Sequence, residues 1–162
     1  MSGILIIGYG NLLRGDDAIG LHAAHQLENL FLGDPEVGVI ACHQLTPELA
    51  DDISGSEFVI FLDASCEGEP GTLRCDSISL ESAPRGFSHD LDPASLVAAA
   101  EQLYGEAPQA FSITLTGWSF EVGNKLSSGA QRELPHVVSL TREMIANHRL
   151  QETAMGAISR VG

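Results

Sequence analysis

The sequence predicts an α/β fold: a three-layer sandwich in which a twisted, mostly parallel sheet of about five strands has helices on both faces. Two observations support this prediction. Short β-branched runs alternate along the chain with segments whose apolar residues recur at helical spacing. These runs are apolar throughout, which is typical of strands covered on both sides. Right-handed crossovers would then carry the chain across the sheet.

The first half of the chain is expected to alternate regularly between strands and helices. The predicted strands cover residues 4–7, 37–42 and 57–62, and the predicted helices cover 17–31 and 46–53. Gly33 and Pro35 end the first helix. Thr46 and Pro47 suit the N-cap and first position of the second helix.

The second half begins with a more alternating segment. Residues 72–78 are predicted as an edge strand, 79–91 as a polar loop, 94–104 as a helix, 110–115 as a strand, and 128–147 as the last helix. Asp92 is a plausible cap for the helix at 94–104. Ser128 and Gln131 form a capping-box pattern, while Pro135 predicts either a kink or a later start near Glu133.

One domain is predicted over residues 1–150, which is long enough to bury a full core. Residues 151–162 are predicted to be a C-terminal tail, with the weak periodicity typical of disorder. The first residues lack the basic region and cleavage site of a signal peptide, and no apolar run is long enough to span a bilayer. These features predict a cytoplasmic protein.

The charge balance restricts the possible partners. The net charge is −14, and only eight Lys and Arg residues are present. Nucleic acids and anionic membranes are bound through clustered basic residues, so neither is an expected partner.

The candidate functional residues lie near the ends of predicted strands. A glycine-rich turn follows the first strand and leads to Asp16 and Asp17, and Asp63 ends the third strand. His89 lies in a loop that could reach the same edge, where ligands bind in parallel sheets. Two carboxylates and an imidazole could hold a divalent transition metal with open coordination positions. The ordinary alternatives are a helix cap for each Asp and a solvated loop His.

A dinucleotide-binding turn is the main alternative for the glycines. Gly8 and Gly10 start such a fingerprint, but Leu13 stands where the third glycine would fall. Acids at the start of a helix also oppose a bound pyrophosphate. The pattern therefore argues against NAD or FAD.

Three further residues near this turn have roles that the pattern leaves open. Asp16 could cap the helix or support the site indirectly, and Asn11 could fix the loop or hold a carboxylate. His43 ends the second strand and is expected to face the same crevice, where it could contact substrate.

The run from Gly8 to Gly20 resembles the opening motif of the nickel–iron hydrogenase maturation endopeptidases, G-x-G-N-x-L-x-x-D-[DE]-x-x-G. These enzymes remove a C-terminal extension from the hydrogenase large-subunit precursor, and they have a sheet sandwiched between helices. By motif position, the resemblance implies that Asp17, Asp63 and His89 are both the metal ligands and the catalytic residues. Asp17 stands where many members have Glu.

The resemblance also implies a substrate and a metal. The partner would be the large-subunit precursor, and the metal would be nickel carried by that precursor, with zinc or cadmium able to substitute in vitro. We expect the protein to be a monomer. Residues 42–49 match the family's glycine-rich segment only in part, so the sequence does not identify the hydrogenase. A nickel-binding chaperone without hydrolytic activity is the alternative, because it would use the same ligands.

Overall fold

The computed structural model describes residues 3–82 and 91–161. The strands in this part of the chain are β1 (Ile4–Tyr9), β2 (Val37–Cys42), β3 (Phe58–Ser65), β4 (Leu73–Ser77) and β5 (Gln109–Thr116). The α-helices are α1 (Ile19–Leu30), α2 (Leu49–Ser54), α3 (Pro93–Tyr104) and α4 (Ser128–Val161). Single 3₁₀ turns lie at Gly15–Ala18 and Leu80–Ser82.

The five strands form one sheet in the order β2-β1-β3-β5-β4. All neighbours are parallel except β4, which pairs with β5 in the antiparallel direction. The predicted mostly parallel sheet and its edge strand are therefore confirmed. Because β2 and β3 lie on opposite sides of β1, the strand order reverses at β1, where a crevice opens at the carboxyl ends of the strands.

Alternate residues of β1 point into two separate cores. Ile4 and Ile6 pack with apolar residues of α1 and α4 on one face of the sheet. Leu5 and Ile7 pack with residues of α2 and α3 on the other face. The continuous apolar run of this strand is thus explained by burial on both sides, and the predicted three-layer sandwich is confirmed.

A glycine pair brings α1 unusually close to the sheet. A Cβ on Gly8 would overlap the Gly20 carbonyl oxygen, and a Cβ on Gly20 would overlap the Leu62 carbonyl oxygen. The start of α1 therefore lies directly against the ends of β1 and β3. The predicted helix start at residue 17 is two residues early, since residues 15–18 form the 3₁₀ turn.

The last helix differs most from its prediction. It begins at Ser128 and contains Pro135, so the later start near Glu133 is wrong. It also continues to Val161 instead of ending near residue 147. The described side chains at positions 151–160, in the predicted tail, are exposed along this helix. The separation into a domain over 1–150 and a tail over 151–162 stays a prediction.

None of the helices in residues 3–82 and 91–161 combines the length and apolar character required to cross a membrane.

Candidate active site

An open cleft of about 950 Å³ lies at the carboxyl ends of the central strands. Its polar lining includes Tyr9, Asn11, Arg14, Asp17, His43 and Asp63. These residues come from the end of β1, the turn after it, the segment after β2 and the end of β3. The cleft therefore occupies the place where ligands bind in sheets of this topology.

Asp17 is held in the cleft by the turn that precedes it. The backbone N–H of Asn11 donates to Asp17 Oδ2 at 2.8 Å, and Asn11 Oδ1 accepts from the N–H of Leu13 at 2.9 Å. Gly10 has a φ of 153°, and a Cβ there would overlap the Asp17 carbonyl oxygen. Asn11 thus fixes the loop with its side chain and holds the carboxylate with its backbone.

Asp63 lies near the end of β3 in a more enclosed position. Its Oδ1 accepts from the Ala64 N–H at 2.8 Å, and its carboxylate accepts a hydrogen bond from the Tyr9 hydroxyl. Burial is the main cause that raises the pKa of Asp63 to about 6, and repulsion from Asp17 adds to it. The hydrogen bonds from Tyr9 and Ala64 oppose this rise but do not cancel it.

Tyr9 is a site residue that the sequence pattern did not reveal. Burial, together with the charge of Asp63 and the hydrogen bond to it, raises the pKa of the Tyr9 hydroxyl. The phenol therefore stays protonated and remains a donor to Asp63. Its position as the last residue of β1, directly before the glycine turn, was the available signal.

The neighbouring acid, Asp16, does not line the cleft. It is fully buried, and its two oxygens accept from the backbone N–H groups of Trp118, Ser119 and Ser127 and from the Ser127 hydroxyl. Burial works to raise the pKa of Asp16, but these four hydrogen bonds outweigh it and leave the pKa below its usual value. Asp16 therefore anchors the segment before α4 to the turn after β1. It is not a helix cap.

The structure brings together two of the three predicted site residues. Asp17 and Asp63 line one cleft and interact electrostatically. His89 lies outside the described residues, so its position at the site stays a prediction. His43 lines the cleft as expected, and Arg14 contributes a cation that the sequence analysis did not single out.

This arrangement suits chemistry at a metal or at a polarised carbonyl group. Among residues 3–82 and 91–161, one hydrogen bond reaches the Asp17 carboxylate, through Oδ2, and none of these residues occupies Oδ1. Asp63 with a pKa of about 6 can exchange a proton near neutral pH. Two carboxylates with different environments can divide the roles of binding a cation and handling a proton.

Comparison with known proteins gives the family. No protein-family model matches the chain. Over 120 residues, it is 30% identical to the hydrogenase 2 maturation protease of Escherichia coli K12, an alignment that covers 70% of this chain and 71% of that protein.

Two solved structures have the same fold. The NiFe hydrogenase maturation protease HycI from Thermococcus kodakarensis is 23% identical, with a TM-score of 0.73 over 90% of this chain and 93% of that one. The hydrogenase maturating endopeptidase HybD from Escherichia coli is 22% identical, with a TM-score of 0.73 over 91% and 94% of the two chains. The fold agrees with both structures, and the identity to the Escherichia coli hydrogenase 2 protease shows that this chain belongs to the hydrogenase maturation proteases.

Proposed function

We propose that this chain is an endopeptidase that removes the C-terminal extension of a nickel–iron hydrogenase large-subunit precursor after nickel insertion. The observation that carries the proposal is the joint placement of Asp17 and Asp63 in one open cleft of a chain from this family. His89 is the third proposed residue, on the basis of its position in the sequence motif.

Nickel belongs to the substrate in this proposal. Asp17 and Asp63 supply carboxylate oxygens, and His89 would supply an imidazole nitrogen, a donor set that suits nickel. Zinc or cadmium would occupy the same donors in vitro. A precursor that carries nickel would therefore bind in the cleft more tightly than a precursor without nickel. Cleavage would then occur only after metal insertion is complete.

Two mechanisms account for hydrolysis at this cleft. In the first, the metal polarises the scissile carbonyl group or lowers the pKa of a water molecule. In the second, the pair Asp17 and Asp63 activates water directly, with Asp63 exchanging the proton. The first requires metal at the moment of cleavage, whereas the second requires metal only for recognition.

The protein is proposed to act in the cytoplasm as a monomer, with the precursor as its macromolecular partner and with no nucleic-acid or membrane partner. The net charge of −14 supports this choice of partner, since polyanionic surfaces would repel the chain.

The test combines purified protein with nickel-loaded and nickel-free precursor and follows loss of the tail by intact-mass spectrometry. Cleavage is expected for the loaded precursor alone. Asp17→Ala, Asp63→Ala and His89→Ala should each abolish cleavage while the circular dichroism spectrum stays unchanged. Asp76→Asn is the matched control, because Asp76 is an exposed acid paired with Arg74 on the edge strand.

Each outcome separates the candidate functions. Equal cleavage of both precursors would remove the role of nickel in recognition. Nickel transfer to or from the precursor with an intact tail would identify the chain as a non-hydrolytic nickel chaperone. Unimpaired cleavage by the three Ala variants would show that the catalytic residues lie elsewhere.

A further inference from the structure

A second group of potential metal ligands lies at the opposite end of the sheet from the cleft. Glu57 directly precedes β3, and His148 and Glu152 stand one turn apart on α4. One ligand atom from each residue can be chosen so that all three atoms lie within 4.8 Å of one another. The three residues, here called the basal cluster, share no residue with the cleft.

The imidazole of the basal cluster is fixed in place. Its ring stacks on Phe58, with centroids 4.2 Å apart and an interplanar angle of 16°. Only 11% of the His148 side chain is exposed, and its Nε2 atom is buried with no hydrogen-bond partner among the described residues. A buried nitrogen without a partner is unfavourable, and Nε2 lies 3.5 Å from Glu152 Oε1 without forming a hydrogen bond.

The two carboxylates of the basal cluster also lack a compensating cation. A carboxylate oxygen of Glu57 and one of Glu152 lie within 4.8 Å of each other. The salt bridges among the described residues give neither carboxylate a Lys or Arg partner. The nearby Arg149 instead pairs with Asp34 at 2.8 Å. Two close carboxylates beside a buried imidazole nitrogen without a hydrogen-bond partner form an arrangement that a divalent cation would stabilise.

We propose that Glu57, His148 and Glu152 bind a divalent transition-metal ion of the Zn²⁺ class, at a site separate from the cleft. One nitrogen and two carboxylate oxygens are ligands that Zn²⁺ accepts, with water in the fourth position. Metal–ligand bonds of roughly 2.1 Å place tetrahedral ligands about 3.4 Å apart. Since the ligand atoms lie within 4.8 Å of one another, the exposed Glu side chains would have to close by at most about 1.4 Å. The imidazole is stacked on Phe58, and its Nε2 atom already lies 3.5 Å from Glu152 Oε1.

A metal at this position would join α4 to the start of β3. The described side chains that follow on α4, at positions 151–160, are exposed. The bound ion would therefore hold the base of this exposed helical segment against the body of the protein. This inference does not depend on the proposed proteolytic function, because it concerns other residues at the opposite end of the sheet.

The test is isothermal titration of Zn²⁺ into the full-length protein carrying Asp17→Asn and Asp63→Asn, which removes the carboxylates of the cleft. One equivalent of Zn²⁺ is expected to bind. Adding Glu152→Gln or His148→Gln should weaken this binding at least 10-fold, in the range typical for loss of a ligand or its support. Glu133→Gln is the matched control, since Glu133 and His136 form a two-residue pair on the same helix, and it should leave binding unchanged.

Thermal unfolding gives a second readout. Zn²⁺ should raise the melting temperature of the Asp17→Asn/Asp63→Asn protein and should not raise it once Glu152→Gln is added. If His148→Gln does not fold, Glu152→Gln decides the question, because half of the Glu152 side chain is exposed and its replacement preserves packing. Absence of Zn²⁺ uptake, or uptake unaffected by Glu152→Gln, would overturn the proposal.

Discussion

Ser127 donates two hydrogen bonds to Asp16, one from its backbone N–H to Oδ1 at 2.8 Å and one from its hydroxyl to Oδ2 at 2.7 Å. The residues are 111 positions apart in the chain. Their contact, together with the bonds from Trp118 and Ser119, closes the segment before α4 onto the turn after β1. This closure supports the turn that carries Asp17 into the cleft.

Asp16→Asn should strongly destabilise the protein. The amide would retain one acceptor but would present N–H groups to the buried donors of Trp118, Ser119 and Ser127. We expect the free energy of unfolding to fall by about 2–4 kcal/mol, measured by urea denaturation at neutral pH. Asp76→Asn, at an exposed ion pair, should change it by less than about 0.5 kcal/mol. Equal effects of the two substitutions would contradict the anchoring role.

Asp16 should also affect how the stability of the protein depends on pH in the acidic range. Because its pKa is lowered in the folded protein, its ionised form contributes stability above its unfolded pKa of 3.8, and this contribution is lost as pH falls through the lower folded pKa. The melting temperature of Asp16→Asn should therefore fall less steeply than that of the wild type below about pH 4. Parallel curves would rule out this contribution.

Asp63 should have the opposite pH dependence. Its folded pKa of about 6 lies above the ordinary value of 3.8, so its stabilising contribution is complete below the ordinary value and is lost as pH rises through about 6. The test compares metal-free wild type with metal-free Asp63→Asn. The unfolding free energy of the variant minus that of the wild type should be about 2–3 kcal/mol larger at pH 8 than at pH 4. Denaturation of both proteins at the two pH values checks this. A pH-independent difference would contradict it.

Tyr9→Phe should reduce cleavage without unfolding the protein. The substitution removes the hydroxyl that donates to Asp63 and leaves the ring in place. We expect processing to slow about 10- to 100-fold, which corresponds to the roughly 1.5–3 kcal/mol of one hydrogen bond to a charged group. Tyr104→Phe is the matched control, because Tyr104 also bonds an aspartate, Asp51, but lies outside the cleft. Equal rates for the two variants would exclude a positioning role for Tyr9.

Gly10→Ala should displace the turn that holds Asp17. The new methyl group would meet the Asp17 carbonyl oxygen at a backbone conformation that non-glycine residues rarely adopt. We expect a loss of about 2–4 kcal/mol in unfolding free energy together with loss of processing. Gly33→Ala separates the two effects, since Gly33 has a positive φ of 86° but nothing within 4 Å of an added Cβ. It should lose about 1–2 kcal/mol and retain activity.

Most of the fold could be predicted from local patterns. The central strands were predictable because their runs are apolar on both faces, and the alternation with helices indicated a parallel sheet. The end of α4 was missed because the residues after position 150 lack an apolar face and are exposed along the helix. Their helical state depends on continuation from the packed part of α4, which periodicity does not report.

The site was also only partly predictable from local patterns. Apolar runs that alternate with helices along the chain are sufficient to specify the layered sheet. The motif at the end of β1 is sufficient to place the functional site at the carboxyl ends of the strands. Asp16 and Asp17 are adjacent and chemically identical, so no local pattern can assign them different roles. The segment 118–127 covers the Asp16 carboxylate and donates hydrogen bonds to it. The turn at Gly10 and Asn11 instead places the Asp17 carboxylate in the cleft. Contacts between distant parts of the chain make that distinction, because they determine which carboxylate loses its water and which retains it.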